Sequence, residues 1–160
     1  MSPGALHQLV TFRLGRDQFA ADIFTVERVL RYQDPTPIPD VPPWVAGVVE
    51  YQQHVVPVID LRRRFALEPE PTHPATRILV FATPAEWVGA VVDAVLEVVS
   101  VSPSELSPPP ALFRGLSADY VRAIVRRDGR LLVYLDVARL LTAPERLTLE
   151  HLPDEEFLGA

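Results

Sequence analysis

The chain is 160 residues long, 48% hydrophobic, with a net charge of −6. That is enough for one ordinary domain or two very small ones around an apolar core, and the acidic balance argues against a nucleic-acid binder. No cysteine is present, so disulfides, thiolate metal sites and cysteine nucleophiles are excluded. All fifteen basic residues are arginine, and residues 145–160 hold five acids and one arginine, which leaves the remaining chain near neutral at −2. The start, MSPGALHQLV, lacks the basic stretch and long apolar run of a signal peptide. No apolar run approaches the ~20 residues that span a bilayer. A soluble protein of the cytoplasm is the expectation.

In chain order, the pattern predicts a strand at residues 8–14, a turn at Gly15-Arg16-Asp17 and a return strand at 18–23. Residues 26–32 fit a helical period through Val26, Val29 and Leu30, while their β-branched content favours a strand. Five prolines between positions 35 and 43 exclude regular structure there. A single helical turn is expected at 44–47, then strands at 48–51 and 55–59 around Gln52-Gln53-His54. Pro57 cannot donate to a ladder, which predicts an edge or a bulge for the second of these strands. Asp60 is placed to cap a short helix at 61–65. A proline-rich linker at 68–74 follows, and then strands at 78–81, 87–92 and 95–101, with a turn at 83–86. A second proline-rich connection runs over 103–110. Asp128-Gly129, a favoured hairpin dipeptide, joins strands at 120–126 and 130–135. Asp136 is placed to cap a helix at 137–141, and a polar, frayed tail closes the chain.

The second half echoes the first. With Asp60 set on Asp136, Val48-Val49 falls on Ile124-Val125, Val55-Val56 on Leu131-Leu132, and Ile59-Asp60-Leu61 on Leu135-Asp136-Val137. Ile78-Leu79-Val80-Phe81 likewise echoes Leu9-Val10-Thr11-Phe12. A pattern used twice implies two similar small units. A few short strands hide little surface when flat, whereas closing them removes exposed edges. The fold expected is therefore all-β: two SH3-like five-stranded barrels packed along an apolar seam, with short helices. One domain over 8–142 would contain a first repeat at 8–68 and a second at 76–142, with strands open to exchange between barrels. Residues 143–160 would form an acidic tail.

Catalytic and metal chemistry finds no support in the motifs. His7, His54, His73 and His151 lack partners at metal-ligand spacing, no phosphate-cradling glycine loop occurs, and no histidine is placed to activate a serine. Asp60 and Asp136 read as helix caps rather than a carboxylate pair, and Asp22 and Asp93 as turn or capping residues. The cluster Arg62-Arg63-Arg64 points three ways on a short helix. It reads first as a solvated surface and second as a contact for an acidic protein. Trp44 and Trp87 read as core, while Leu112-Phe113 after three prolines stands between core and surface anchor.

At these residues the chain resembles the CheW-type chemotaxis coupling (adaptor) proteins. Residues 9–30 (LVTFRLGRDQFAADIFTVERVL), 39–65, 78–100 and 120–141 carry the likeness, most specifically GVV…VVPVIDLRRRF. The resemblance implies two five-stranded barrels, no catalysis and no cofactor. It implies two partners, the regulatory domain of a CheA-type histidine kinase and the cytoplasmic tip of a chemoreceptor. Membrane association would be peripheral only, through membrane-associated or cytosolic receptor arrays. Receptor-groove positions fall on Val26, Arg28, Gly47, Gln52, Gln53 and Gly89, and kinase or array contacts on Leu112 and Phe113. Two departures stand out. The family's N-L-R-G is Glu50-Tyr51-Gln52-Gln53 here, and the Glu of its V-x-E-I is Arg28. Charge-assisted bonds are roughly twice as strong as neutral ones, so these changes predict altered partner choice on an unaltered fold. The alternative is a CheW-like interaction module of a non-chemotaxis receptor-kinase pathway, for motility or gene control, with or without receptor binding. A weak homodimer through the barrel ends is a further expectation.

Overall fold

The structure is a computed structural model and describes residues 6–65, 67–68, 70–109 and 120–142. Eleven strands and two short helices are present among them. In chain order they are β1 (His7–Leu14), β2 (Asp17–Asp22), β3 (Val26–Arg31), β4 (Val45–Tyr51), β5 (His54–Asp60), α1 (Leu61–Arg64), β6 (Arg77–Ala82), β7 (Trp87–Val92), β8 (Ala94–Val101), β9 (Leu106–Ser107), β10 (Val121–Arg127), β11 (Arg130–Leu135) and α2 (Val137–Thr142). The β-branched reading of residues 26–31 prevails over the helical one, because β3 pairs along its length with β6. Three expectations are corrected. Residues 44–47 are not a helical turn, since β4 starts at Val45. Pro57 lies on a central strand rather than an edge, beside the register slip of the β4–β5 pair and one residue before the β5–β7 ladder begins at Val58, so its missing N–H costs that ladder nothing. The second proline-rich connection contains a 3₁₀ turn at Pro103–Glu105 and the two-residue strand β9.

The strands form two sheets, ordered β8-β1-β2-β11-β10-β9 and β3-β6-β7-β5-β4. The pairing repeats between them. β4 pairs antiparallel with β5, as β10 does with β11, and β5–β7 is matched by β11–β2 as a parallel pair. Even the irregularities recur: the register slips between Val45 and Gly47 in β4 and between Val121 and Ala123 in β10. Each sheet thus contains a hairpin from the other half of the chain. The β1–β2 hairpin sits beside β11, and the β6–β7 hairpin beside β5.

Connectivity forces both sheets to curl. β8 and β9 occupy opposite edges of their sheet, yet only Ser102–Glu105 separates them. Six flat strands would be about 24 Å wide, and five chain steps reach at most about 18 Å. In the second sheet the edges are tied directly. Thr36, just after β3, exchanges two backbone hydrogen bonds with Val48 of β4, at 2.8 and 2.9 Å.

Period-2 alternation then sorts the core. On β11, Leu132 and Tyr134 face a cluster private to the first sheet, while Val133 and Leu135 face one shared by both sheets. On β6, Ile78 and Val80 belong to the second sheet's private cluster, and Leu79 and Phe81 to the shared one. The shared cluster includes Phe12, Phe19, Phe65, Tyr120 and Ile124, so it is the apolar seam joining the halves.

Candidate functional site

The strand registers align three of the predicted groove positions. Arg28 pairs with Val80, Val80 with Gly89, Gly89 with Val58, and Val58 with Gly47, one row across all five strands of the second sheet. Val58 and Val80 in that row belong to the private core. A Cβ on Gly89 would lie 3.0 Å from Ile78 Cγ2 and 3.3 Å from Val58 Cγ2, and one on Gly47 would lie 2.2 Å from the Thr36 carbonyl oxygen. Both glycines therefore answer to close packing within this chain. Gly47 is also held at φ +146°, where side chains are rare. Val26 lies across the β3 register slip from Arg28 and packs against the shared core.

Arg28 and the β4–β5 hairpin meet where the sheet edges approach. Arg28 Nε donates to the Tyr51 hydroxyl at 3.1 Å, and the guanidinium lies 5.8 Å from the Tyr51 ring centroid. Tyr51 packs on Trp87 with centroids 5.2 Å apart, and His54 packs on Trp87 at 4.6 Å. Gln52 and Gln53 form the turn, both at positive φ (48° and 65°). That matches the type I′ geometry of a two-residue hairpin. The Gln52 carbonyl accepts a 2.9 Å bond from His54 Nδ1. The Gln52 and Gln53 side chains, with Val55 at 70% exposure, stand open to solvent. This end thus presents one arginine on an aromatic cluster beside two neutral amides. Tyr51, Trp87 and His54 were not among the predicted site residues. The repeat holds their signal, since Trp87 falls where the first half has Gln18. Leu112 and Phe113 lie outside the described residues.

Of the three adjacent arginines, Arg62 is buried and Arg64 half-buried against aromatic rings, which corrects their reading as a solvated surface, while Arg63 is exposed as that reading expects. Arg62 is 7% exposed and forms a forked ion pair with Asp93 through Nη2–Oδ2 and Nε–Oδ1 (3.0 Å). Its Nη1 donates to the Glu68 carbonyl at 2.5 Å. Asp93 is likewise more than a turn residue, for it also accepts from the Gly15 N–H at 2.6 Å. Burial pushes the Asp93 carboxyl up. The bonds from Arg62 and Gly15 and the charges of Arg62 and Arg13 outweigh it and hold the pKa below the usual aspartate value. Arg63 pairs with Asp60 at 3.5 Å. Arg64 lies over Tyr120 (4.3 Å) and Trp44 (5.7 Å), which are equivalent residues of the two repeats. Asp60 and Asp136 cap α1 and α2, accepting from the backbone N–H of Arg63 (3.3 Å) and Arg139 (3.1 Å). Asp22 caps the turn after β2 through the Phe24 N–H at 2.9 Å.

No helix among the described residues is long and apolar enough to cross a membrane. Comparison with known proteins places this architecture. The family model for the CheW-like domain matches residues 8–145. Chemotaxis protein CheW of Treponema pallidum is 30% identical over 149 residues, covering 91% of this chain and 88% of that protein. Chemotaxis protein CheW of Bacillus subtilis is 30% identical over 84% of this chain and 86% of that protein. Protein FrzA of Myxococcus xanthus is 30% identical over 74% of this chain and 73% of that protein. The crystal structure of the scaffolding protein TtCheW from Thermoanaerobacter tengcongensis superposes with a TM-score of 0.81 at 26% identity, covering 88% of this chain and 90% of that one. The paired sheets, the seam between them and these likenesses agree: the chain belongs to the CheW family, the non-catalytic scaffold proteins of chemotaxis.

Proposed function

We propose that this chain couples the cytoplasmic tip of a chemoreceptor to the regulatory domain of a CheA-type histidine kinase, and that its receptor preference is reset at Arg28 and Gln52. One observation carries the reading: Arg28 reaches Tyr51, the residue directly before the Gln52-Gln53 turn, with a 3.1 Å bond. The two departures from the family pattern therefore belong to one surface, and they invert its chemistry together. An acid has become a base, and a base has become an amide. A receptor tip suited to this end would offer a carboxylate to Arg28 and ask for no cation from residue 52. Kinase contact falls to Leu112 and Phe113, and recruitment to receptor arrays follows from the coupling.

Pull-down with the cognate receptor tip, an ordinary receptor tip and the kinase regulatory domain tests this. The wild type is expected to hold the cognate tip and the kinase domain at micromolar concentration and to bind the ordinary tip weakly. Arg28→Glu with Gln52→Arg is expected to reverse the receptor preference and leave kinase binding unchanged. Absence of binding to both cognate partners would refute the coupling. Unchanged receptor preference in the double variant would refute its assignment to these two residues.

A further inference from the structure

Arg31 stands directly opposite Arg77 where β3 pairs with β6. Opposed residues of an antiparallel pair carry their Cβ atoms about 5 Å apart on one face, and like charges so placed destabilise a sheet. The fold does not require arginine there. The equivalent register of the other sheet pairs Gln8 with Ser100, which is neutral. Among the described residues no acid forms an ion pair with either arginine. Asp34, three residues from Arg31, acts on the Tyr32 hydroxyl instead.

The two arginines line a cavity of about 400 Å³ together with Tyr32, Thr72, His73 and Thr76, a volume suited to a small molecule. Arg77 is held in place by bonds from Nη1 to the Pro74 and Thr76 carbonyls, at 2.8 and 2.9 Å. Its other nitrogens have no partner among the described residues. The His73 ring is fixed as well. Its Nδ1 accepts from the Ala75 N–H at 3.2 Å, so its Nε2 carries the proton and is a donor. Two guanidinium groups, an imidazole N–H and the Thr72 hydroxyl thus border one concavity with no carboxylate lining it.

We propose that this cavity binds a small phosphorylated molecule, with the phosphate between the Arg31 and Arg77 guanidiniums. A phosphate has oxygens and charge enough to engage two guanidinium forks at once, whereas a lone carboxylate fills one, and a bound anion would offset the repulsion between the opposed arginines. The site lies at the linker between the repeats, and the proposal does not depend on receptor or kinase binding.

Calorimetric titration of the full chain with inorganic phosphate, a nucleoside diphosphate and a tricarboxylate, at ionic strength fixed with sodium chloride, tests it. Saturable phosphate binding is expected, weakened about tenfold or more in Arg31→Gln and in Arg77→Gln. Tighter binding of the diphosphate would add contacts beyond the phosphate, and equal binding would locate the affinity in the phosphate itself. Both outcomes support the site. Ligand-free Arg31→Gln, which loses no hydrogen bond, is expected to melt at or above the wild-type midpoint in low salt, so a binding defect there is not misfolding. Binding unchanged in Arg31→Gln, no heat beyond that of chloride, or saturation by the tricarboxylate alone would each overturn the proposal.

Discussion

Arg62 and Asp93 are each about one-tenth exposed at the side chain, and their pair joins three distant pieces of sequence. Arg62 belongs to α1, Asp93 to the β7–β8 junction, and Gly15 to the β1–β2 turn. Removing one member of such a pair strands the other charge, at a typical cost of about 3–5 kcal/mol. Arg62→Ala and Asp93→Ala are therefore expected to lower the unfolding free energy by about 3 kcal/mol each, read by urea denaturation at pH 7. Because the Asp93 pKa is depressed in the folded chain, the unfolded chain binds more protons as acid is added. The contribution is present above the ordinary aspartate pKa of about 4 and is lost as pH falls through the lower folded value. Urea midpoints from pH 7 to pH 3 should show a steep fall below about pH 4 in the wild type and a shallower one in Asp93→Asn. An equal slope in the two proteins would contradict the assignment. None of this was legible from three consecutive arginines, because their spacing says they diverge and says nothing of a carboxylate 31 residues away.

At the scale of single elements, the glycines of the second sheet separate two kinds of constraint. A Cβ on Gly47 would meet a backbone carbonyl at 2.2 Å, and its φ of +146° is strained for any side chain. A Cβ on Gly89 would meet two side-chain methyls at 3.0 and 3.3 Å. Methyl groups can shift a few tenths of an ångström, whereas the Thr36 carbonyl is held by its bond from the Val48 N–H. Gly47→Ala is expected to cost about 3 kcal/mol or more, and Gly89→Ala about 1 kcal/mol. Thermal unfolding of both variants checks the order. The element pattern itself was largely readable. Asp60, Asp136 and the Asp128-Gly129 turn announced two helices and a hairpin through local chemistry alone. The misreadings sit where long-range pairing decides. Residues 44–47 look like a helical turn after two prolines, yet the β5 ladder extends β4 back to Val45. Leu106-Ser107 lies among prolines and becomes a strand only because β10 is beside it. At the candidate site, the resemblance located Arg28 and Gln52, but their connection through Tyr51 depends on sheet curl, which no short pattern encodes.

For the whole molecule, the decisive arrangement is the exchange of hairpins between the two repeats. The first repeat alone would lack the β6–β7 hairpin between β3 and β5, and the second would lack β1–β2 between β8 and β11. Each would leave its part of the shared core uncovered. A unit of that size is marginal even when complete. The full chain is thus expected to unfold in one cooperative step by calorimetry and fluorescence. Fragments 1–70 and 71–160 are each expected to lack cooperative unfolding alone, and to regain it when mixed. Independent folding of either fragment would show that the exchange is not needed.

The same arrangement bears on assembly. Nothing in the β5–β7 and β11–β2 ladders distinguishes a hairpin from the same polypeptide from one donated by a neighbour, so it is the linker that favours pairing within one polypeptide. Shortening that linker until it no longer reaches would leave every ladder intact yet force two polypeptides to complete one another. A reciprocally swapped dimer would then carry two copies of the aromatic hairpin end on one rigid body.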